Sequence, residues 1–582
     1  MKGHLFDLYH VEETVYLWIR DCQGNMHCFF DKYYPTIYIH GAETHVQKIL
    51  KKLYDLDSIL EKPVYRTRKH FYTNENCEVL EIKIKKPSIL RRIAGKLYLF
   101  YGLLDIYHSD IDLLSHYLNE KKLFPLALVE IAHKNYHVEN IVAQDDIDSF
   151  DYEIPNLGVM NMRLTLSHKL PISEKNRILF ESKNHSYEIW HSDTKKLLSK
   201  VNAVLELEDP DVILSRFGDQ AIFPYLFRKS NESRIPLQFD RDKSTRTRRK
   251  ILTSGTSYNT YGNWIYRAPS YPLFGRWHID NSNSFVYKET ELTGVLELAR
   301  IARMPVQKLA RSSTGTALTN IETFTAIQNG YLVPWQKSSL ENPKTAYQLL
   351  RIDKGGLIFQ PSREEGIVFE NVAQLDFSQM YPSLMVNRNI SPETVNCVCC
   401  NRDTESQVPG THYHTCKNRK GVVSESLEKV LQRRKYYKKR MKETSGPNYE
   451  IYNSRQNCLK WMLVTSFGYL GYRNAKFGKL ESHEAVTAWG RETLLIAKTI
   501  AEDKGYEVLH AITDCIFTQK KDKSKFDPAE LSMLCNEITQ STGVELALDG
   551  IYSWVVFPSS KTDENIGVMN RYFGKYYTGQ LK

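Results

Sequence analysis

Two carboxylates in this sequence stand where apolar, strand-like runs stop. Asp376 ends one in AQLDFSQMYPSLM, and Asp514 interrupts another in VLHAITDCIFTQKK. The chain after Asp376 turns into a short helix opened by Tyr381-Pro382-Ser383. A carboxylate followed by the free N–H groups of a helix start is a place for a metal and a phosphate together; an aspartate that merely caps the helix would read the same way. Asp514 sits at the tip of an apolar hairpin, a rigid support for a group that must be held in position.

Cations gather between these carboxylates. The segment LEKVLQRRKYYKKRMK (427–442) is helical in pattern and carries eight Lys/Arg. Arg434 and Lys438 are four residues apart and so share a face. Lys460, within QNCLKWMLVTSFGYLGY, begins an apolar-aromatic helix that would run back beside the first. Two antiparallel helices with cations on one side suit a triphosphate, and a solvated helix face is the plainer alternative. A further basic run, RDKSTRTRRK (241–250), is either a solvated turn or a phosphate contact.

Six thiols and imidazoles crowd into CVCCNRDTESQVPGTHYHTC: Cys397, Cys399, Cys400, His412, His414 and Cys416. Four of them would close a tetrahedral structural zinc, with Cys397, Cys400 and Cys416 the favoured ligands. The spacing matches no standard finger, and free thiols are the alternative. Four of the ten cysteines fall in this one stretch, which is unlike a disulfide framework.

The elements that must position these groups are α/β in pattern. At 582 residues the chain exceeds one ordinary core. Strand-like runs VYLWI and PTIYIHG, then the helical SDIDLLSHYLNEKK, mark an N-terminal domain (1–150) that ends at the turn-rich DDIDSFDYEIPNLG. A second unit spans 151–300, a linker and the first part of the next unit 301–423, two basic or amphipathic helices near 424–443 and 450–467 lie within 424–477, and strands return in 478–582. The formal net charge of +10 is modest for this length, so local clustering says more than the total. No apolar run reaches the roughly 18 residues of a membrane span, and the N-terminus lacks a signal-peptide layout, so a cytoplasmic protein is expected.

Taken together, DFSQMYPS, KWMLVTSFGYLG and ITDCIF resemble motifs A, B and C of family B DNA polymerases, in order and spacing. RSSTG, DKGG, NISPETV and NRYFG fall where that family has supporting motifs. The resemblance covers nearly the whole chain. It implies an N-terminal domain, an RNase H-like exonuclease domain, a palm with an antiparallel sheet and two-helix fingers. It further implies template-directed addition of dNTPs to a primer 3′ end, with Asp376 and Asp514 holding two Mg²⁺ ions. Phe377, Ser378, Tyr381 (the steric gate under the sugar), Arg434, Lys438 and Lys460 would bind the nucleotide, and Lys561, Arg571 and Tyr572 would touch DNA. The cell implied is archaeal or bacterial, with the protein at the nucleoid.

The departures from that pattern carry expectations of their own. Motif C has Ile512 where an aspartate is usual, and motif B has Val464 and Phe467 for Asn and Tyr, which puts ordinary fidelity in question. The first exonuclease strand, LGVMNMRLTL, offers Asn161, Arg163 and Thr165 where a D-x-E pair is needed. The second motif has Phe217 and Ile222, with Asp219 out of register, and a third would be Tyr287 to Glu291. An inactivated exonuclease domain is expected, as in the exonuclease-deficient archaeal and bacterial branch, with a role in repair or translesion synthesis. NRYFGKYYTGQLK stops about where a thumb would begin, so the expectation is a thumb that is absent or supplied by a small subunit, with a sliding clamp as another candidate partner. The competing reading is a catalytically silent scaffold, or the large half of a split polymerase.

Overall fold

The computed structural model describes the chain except for residues 88–89, 91–102, 166–176, 245–254, 261–262, 268, 336–342, 353, 361–365, 401–405, 473 and 562–566. Most of the basic run 241–250 and the first residue of DKGG lie outside the described residues. Strands β1 (Lys2–Val11), β2 (Thr14–Asp21) and β3 (Met26–Lys32) begin a barrel. A separate sheet takes β4 (Thr36–Gly41), β5 (Val64–His70), β6 (Asn76–Lys83) and β7 (Leu104–Tyr107), with α1 (Glu43–Asp55) after β4 and α2 (Leu113–Glu120) after β7. Strands β8 (Leu128–Lys134) and β9 (His137–Ala143) then close the barrel in the order β1-β2-β3-β9-β8. The helix read in SDIDLLSHYLNEKK starts only at Leu113, because Asp112 accepts from the Leu114 N–H and caps it.

The second unit is built from β10 (Val159–Leu164), β11 (Ile178–Glu181), β12 (Ser186–Ile189), α3 (Thr194–Glu208), β13 (Val212–Ser215), α4 (Phe223–Ser233), the hairpin β14 (Thr256–Thr260)–β15 (Asn263–Arg267), and β16 (Trp277–Asp280). Its sheet runs β12-β11-β10-β13-β16, with β11 antiparallel to both neighbours and the β10, β13 and β16 pairings parallel. That is the RNase H-like arrangement. Phe6 of the barrel stacks on Trp277 with ring centroids 4.1 Å apart, so the two units share a core.

Helices α5 (Phe285–Ile301), α6 (Val306–Ala310) and α7 (Thr314–Gln328) lead to β17 (Tyr331–Leu332), which returns to pair with β5, and to α8 (Ala346–Ile352). The RSSTG motif explains this corner. Ser313 caps α7 by accepting from the Thr316 N–H. Gly315 faces the Tyr469 ring, where a Cβ would come within 1.9 Å, so only glycine lets the helices approach.

The palm sheet has the order β18-β20-β21-β19-β22-β23, from β18 (Ile358–Phe359), β19 (Val368–Phe377), β20 (Tyr506–Ile512), β21 (Cys515–Lys520), β22 (Leu546–Val556) and β23 (Phe573–Tyr576). All its described pairings are antiparallel. Between its strands in sequence come α9 (Met380–Asn387), α10 (Val422–Glu443), α11 (Gly446–Gly471), α12 (Leu480–Asp503) and α13 (Pro528–Thr542). Leu494, Ala497 and Ala501 of α12 and Leu531, Leu534 and Ile538 of α13 pack with Leu375, Phe377 and Ile516 of the sheet. At roughly 1.5–3 kcal/mol per fully buried large side chain, this layer makes a stiff support for β19 and β21.

Helices α10 and α11 are the paired helices read from sequence, but the second is longer than 450–467. It starts straight after Thr444 and Ser445, with Pro447 in its first turn, where a missing N–H costs nothing. On α10 the buried residues Val423, Leu427, Val430, Arg434 and Tyr437 repeat at four and three, one face of a helix. That spacing is what turns Arg434 inward. Among the described residues no helix is long and apolar enough to cross a membrane.

Candidate active site

Asp376 is the penultimate residue of β19, opposite Cys515 on β21 and Ala547 on β22. Asp514 occupies the β20–β21 turn, where Thr513 takes φ 53°. A non-glycine residue in the left-handed region stores strain, here directly beside the carboxylate it aims. The Phe377 N–H donates to the Asp514 carbonyl at 2.8 Å and locks the two turns together. As a result Asp376, Asp514 and the Cys515 thiol bring ligand atoms within 4.8 Å of one another. Burial, then the neighbouring Asp514 and Asp549, push the Asp376 carboxyl up to about 7. Burial also raises Asp514, although its side chain reaches solvent at the hairpin tip. Neither carboxylate forms an ion pair with a cation of the chain among the described residues. Lys582 and Lys438 act on Asp376 only from a distance, so two hard oxygen donors that repel each other are left without a direct ion-pair partner among the described residues, the donor set a divalent cation fits.

Two residues near this pair escaped the sequence reading. Asp549 of β22 lies close enough to raise Asp376, and Lys582 donates to Asp549 at 2.7 Å and to Gln374 at 3.0 Å. The alternation of ELALDGIYSWVV was the one available signal, since it puts Asp549 on the sheet among apolar neighbours.

A cavity of about 390 Å³ opens beside the carboxylates, between the start of α9 and one face of α10. Ser378, Gln379 and Ser383 line one wall; Arg434, Lys435, Lys438, Lys439 and Lys442 line the other. Gln379 takes φ 51° and so turns the chain sharply into α9. Burial holds both Arg434 and Lys438 below their ordinary range, with Arg434 adding to the effect on Lys438. Clustered, partly desolvated cations at a helix N-terminus are an anion site. Arg433, by contrast, points away and donates to Glu297 and to the backbone of Ile147 and Ser149.

The remaining candidates distribute as follows. Phe377 is buried, and Ser378 donates its N–H to the Glu545 carbonyl. Tyr381 is half-buried, its ring 4.6 Å from that of Phe467. Lys460 is exposed on α11 and does not line the cavity. Lys561 and Arg571 are exposed, while Tyr572 packs edge-on to Phe517 at 4.8 Å.

In the RNase H-like unit the carboxylates are arranged otherwise. Asn161 and Arg163 are exposed on β10, and Arg163 pairs with Glu181 of β11 at 3.0 Å. Asp219 is fully buried. It accepts from Arg311 Nε (2.9 Å) and Nη2 (3.1 Å), from the Tyr271 N–H (2.8 Å) and from Asn283 (2.9 Å). Burial alone would raise its carboxyl, but Arg311 and His278 bring it below the usual range. Asp280, absent from the sequence reading, ends β16 and accepts from the N–H groups of Phe217 (3.1 Å) and Asp219 (2.8 Å). Glu291 is exposed at a kink in α5 with φ 55°. Phe217 and Ile222 carry no charge into the site.

The thiols of Cys397, Cys399, Cys400 and Cys416 all lie within 4.8 Å of one another. Cys416 is 3.4 Å from Cys399 and 3.6 Å from Cys400. Cys399 therefore joins the three favoured from sequence. Cys400 accepts from the Lys417 N–H; burial would raise its thiol, but this donor and the neighbouring thiols bring it to about 7. His414 meets Cys397 at 3.6 Å from outside the cluster, and His412 is exposed.

The family whose model this chain matches is described as DNA polymerase family B, over residues 320–531. That stretch holds Asp376, Asp514, Arg434, Lys438 and the thiol cluster, so the match falls on the candidate site. Among curated relatives, DNA polymerase 2 of Saccharolobus solfataricus is 34% identical over 46% of this chain and 38% of its own length. A DNA polymerase of Archaeoglobus fulgidus is 23% identical over 94% of this chain and 73% of its own. DNA polymerase 1 of Pyrococcus abyssi is 26% identical over 76% and 60%. The chain thus spans only part of these relatives' length. The solved family B DNA polymerase of Pyrobaculum calidifontis superposes with a TM-score of 0.71 at 19% identity, covering 99% of this chain and 81% of that one, which establishes the fold.

Proposed function

We propose that this protein is a template-directed DNA polymerase that adds dNTPs to a primer 3′ end and lacks 3′–5′ proofreading. The observation that carries this reading is the Asp376–Asp514 pair, close, unneutralised and beside a cation-lined cavity at the start of α9. The names of the relatives support the same activity. In this reading the two carboxylates hold two Mg²⁺ ions, which when bound activate the primer hydroxyl and offset the charge of the leaving pyrophosphate. The chain's own part is positioning. The backbone at Phe377 and Ser378 and the first turn of α9 receive the triphosphate, and Arg434 and Lys438 neutralise it from α10. Tyr381, backed by Phe467, sits under the sugar and excludes a 2′-hydroxyl. Lys460 reaches the nucleotide only if the α10–α11 pair tilts toward the palm. Lys561, Arg571 and Tyr572 serve the DNA side.

Loss of proofreading is supported by Arg163 and Asn161 standing where metal-binding carboxylates would be needed, and by Asp219 and Asp280 being spent on internal hydrogen bonds. Such an enzyme suits repair or synthesis past damaged template. The four thiols, all within 4.8 Å of one another, supply the soft donor set of a structural zinc, whose Zn–S distances are about 2.3 Å. It would staple residues 395–416 ahead of α10. One zinc per purified chain, lost in Cys416→Ser, is the expected assay.

The test of the activity is primer extension with Mg²⁺ and dNTPs, wild type against Asp514→Ala, with mismatched-primer shortening followed in the same reactions without dNTPs. Extension by wild type alone, with no shortening, is expected. No extension by either protein would instead favour a silent scaffold.

A further inference from the structure

A second cavity, of about 230 Å³, lies away from the palm carboxylates, where the 147–150 segment, the end of α5, α7 and α10 meet. Its walls are mixed: Ile147, Phe150, Ile301, Ile321 and Phe324 form an apolar part, and charged and polar side chains, Asp148 among them, form the rest. Of the three cations on its lining, Arg303, Lys429 and Arg433, Arg303 is only 6% exposed. Its guanidinium stacks over the Phe324 ring at 3.1 Å from the centroid, and it makes no side-chain hydrogen bond or ion pair among the described residues. Its Nε is buried without a hydrogen-bond partner, a cost that the ring contact only partly offsets.

The backbone adds to that cost. Arg303 follows α5 in the left-handed position of a helix-closing turn, at φ 48°, with the Met304 N–H reaching back to the Ala299 carbonyl at 3.1 Å. Glycine is the residue that adopts this conformation freely. Here the chain carries an arginine instead, strained and without an ion pair among the described residues, on the lining of the cavity. The cations nearby are engaged elsewhere: Lys429 pairs with Asp148 at 3.2 Å and Arg433 with Glu297 at 3.1 Å.

We propose that this cavity binds a small apolar monocarboxylate, its headgroup paired with Arg303 and its hydrocarbon or aromatic body among Ile147, Phe150, Ile301, Ile321 and Phe324. A guanidinium matches a planar carboxylate in shape and charge. A phosphate or dicarboxylate would bring a second negative charge toward Asp146 and Asp148, which lie within electrostatic reach of Arg303. The volume falls below the roughly 300 Å³ of drug-sized sites, so the occupant is small. Burial holds Arg303 down to about 9, so it remains charged at neutral pH.

Calorimetric titration of the full chain with 4-phenylbutyrate and, in parallel, 4-methylvalerate tests this. The control ligand is 4-phenylbutanol, and the control protein is Arg303→Gly, which relieves the backbone and keeps the fold. At least one acid is expected to bind wild type, about tenfold or more tighter than the alcohol and than the same acid binds Arg303→Gly, as a charged hydrogen-bonded pair implies. Ligand-free Arg303→Gly is expected to melt above wild type. The proposal is overturned if neither acid binds by about 10 mM, near the weakest affinity so small a ligand supports, if acid and alcohol bind alike, or if Arg303→Gly binds the acid as well as wild type. A lower melting temperature for Arg303→Gly would also overturn it, because the guanidinium would then be holding the fold rather than waiting for a partner.

Discussion

The palm and the RNase H-like unit each place two aspartates near one another, yet only one of these pairs is open to a metal. Asp376 and Asp514 meet across two strand ends with no cation between them, and burial and mutual repulsion keep Asp376 reluctant to ionise. Asp219 and Asp280 are more deeply buried but fully employed: Arg311 forks onto one, and backbone N–H groups satisfy the other. A carboxylate pair is prepared for a metal by what the protein withholds from it. The arginine of RSSTG decides the difference here, because it belongs to the linker that joins the two units and spends its charge on the RNase H-like side.

This contrast breaks first in primer extension. Asp514→Ala should lower the rate by about a thousandfold or more, the scale of losing metal-assisted charge stabilisation. Asp219→Ala, measured on folded protein, should stay within about threefold of wild type. If Asp219 matters as much as Asp514, the two pairs are not different in kind.

The next largest effect is on stability. Asp219→Asn leaves Arg311 without its buried partner and should cost about 3 kcal/mol or more in denaturant unfolding near pH 7. Asp219 is held below its unfolded value, so its contribution is present above the ordinary carboxylate range and lost as pH falls through the depressed one. The gap between variant and wild type should therefore narrow only below about pH 4. A gap that is constant down to pH 2 to 3 would mean that the Asp219 charge is not what stabilises this corner.

Smaller still, Lys438→Ala should raise the dNTP KM by about tenfold with a lesser change in kcat, as loss of one charge-assisted contact implies. The smallest expected change sharpens the contrast most. The double substitution Asn161→Asp, Arg163→Glu should produce no shortening of a mismatched primer, because Asp219 and Asp280 remain tied to Arg311 and the backbone. Detectable shortening would show that two carboxylates on β10 suffice to recruit a metal there.

Much of this arrangement was legible beforehand. The spacing of four between Arg434 and Lys438 puts both on one face of α10, and an apolar strand that stops at an aspartate marks both Asp376 and Asp514. Asp549, Asp280 and Arg303 were not legible, since each looks like an ordinary surface charge until its neighbours are known. The same holds for Cys399, which nothing in C-x-C-C separates from its neighbours as a ligand; only the fold around Cys416 brings all four thiols together.

The sequence by itself determined which candidate groups this chain offers: two strand-end carboxylates, a helix of cations between them, and a first strand of the second unit without carboxylates. Those are properties of residue type and short-range spacing, which periodicity and local hydrogen bonding govern. Only the tertiary structure decided which charges are neutralised. Arg311 lies 92 residues from Asp219, and whether a carboxylate keeps its charge free depends on which cation the packing of distant segments leaves within a few ångströms of it.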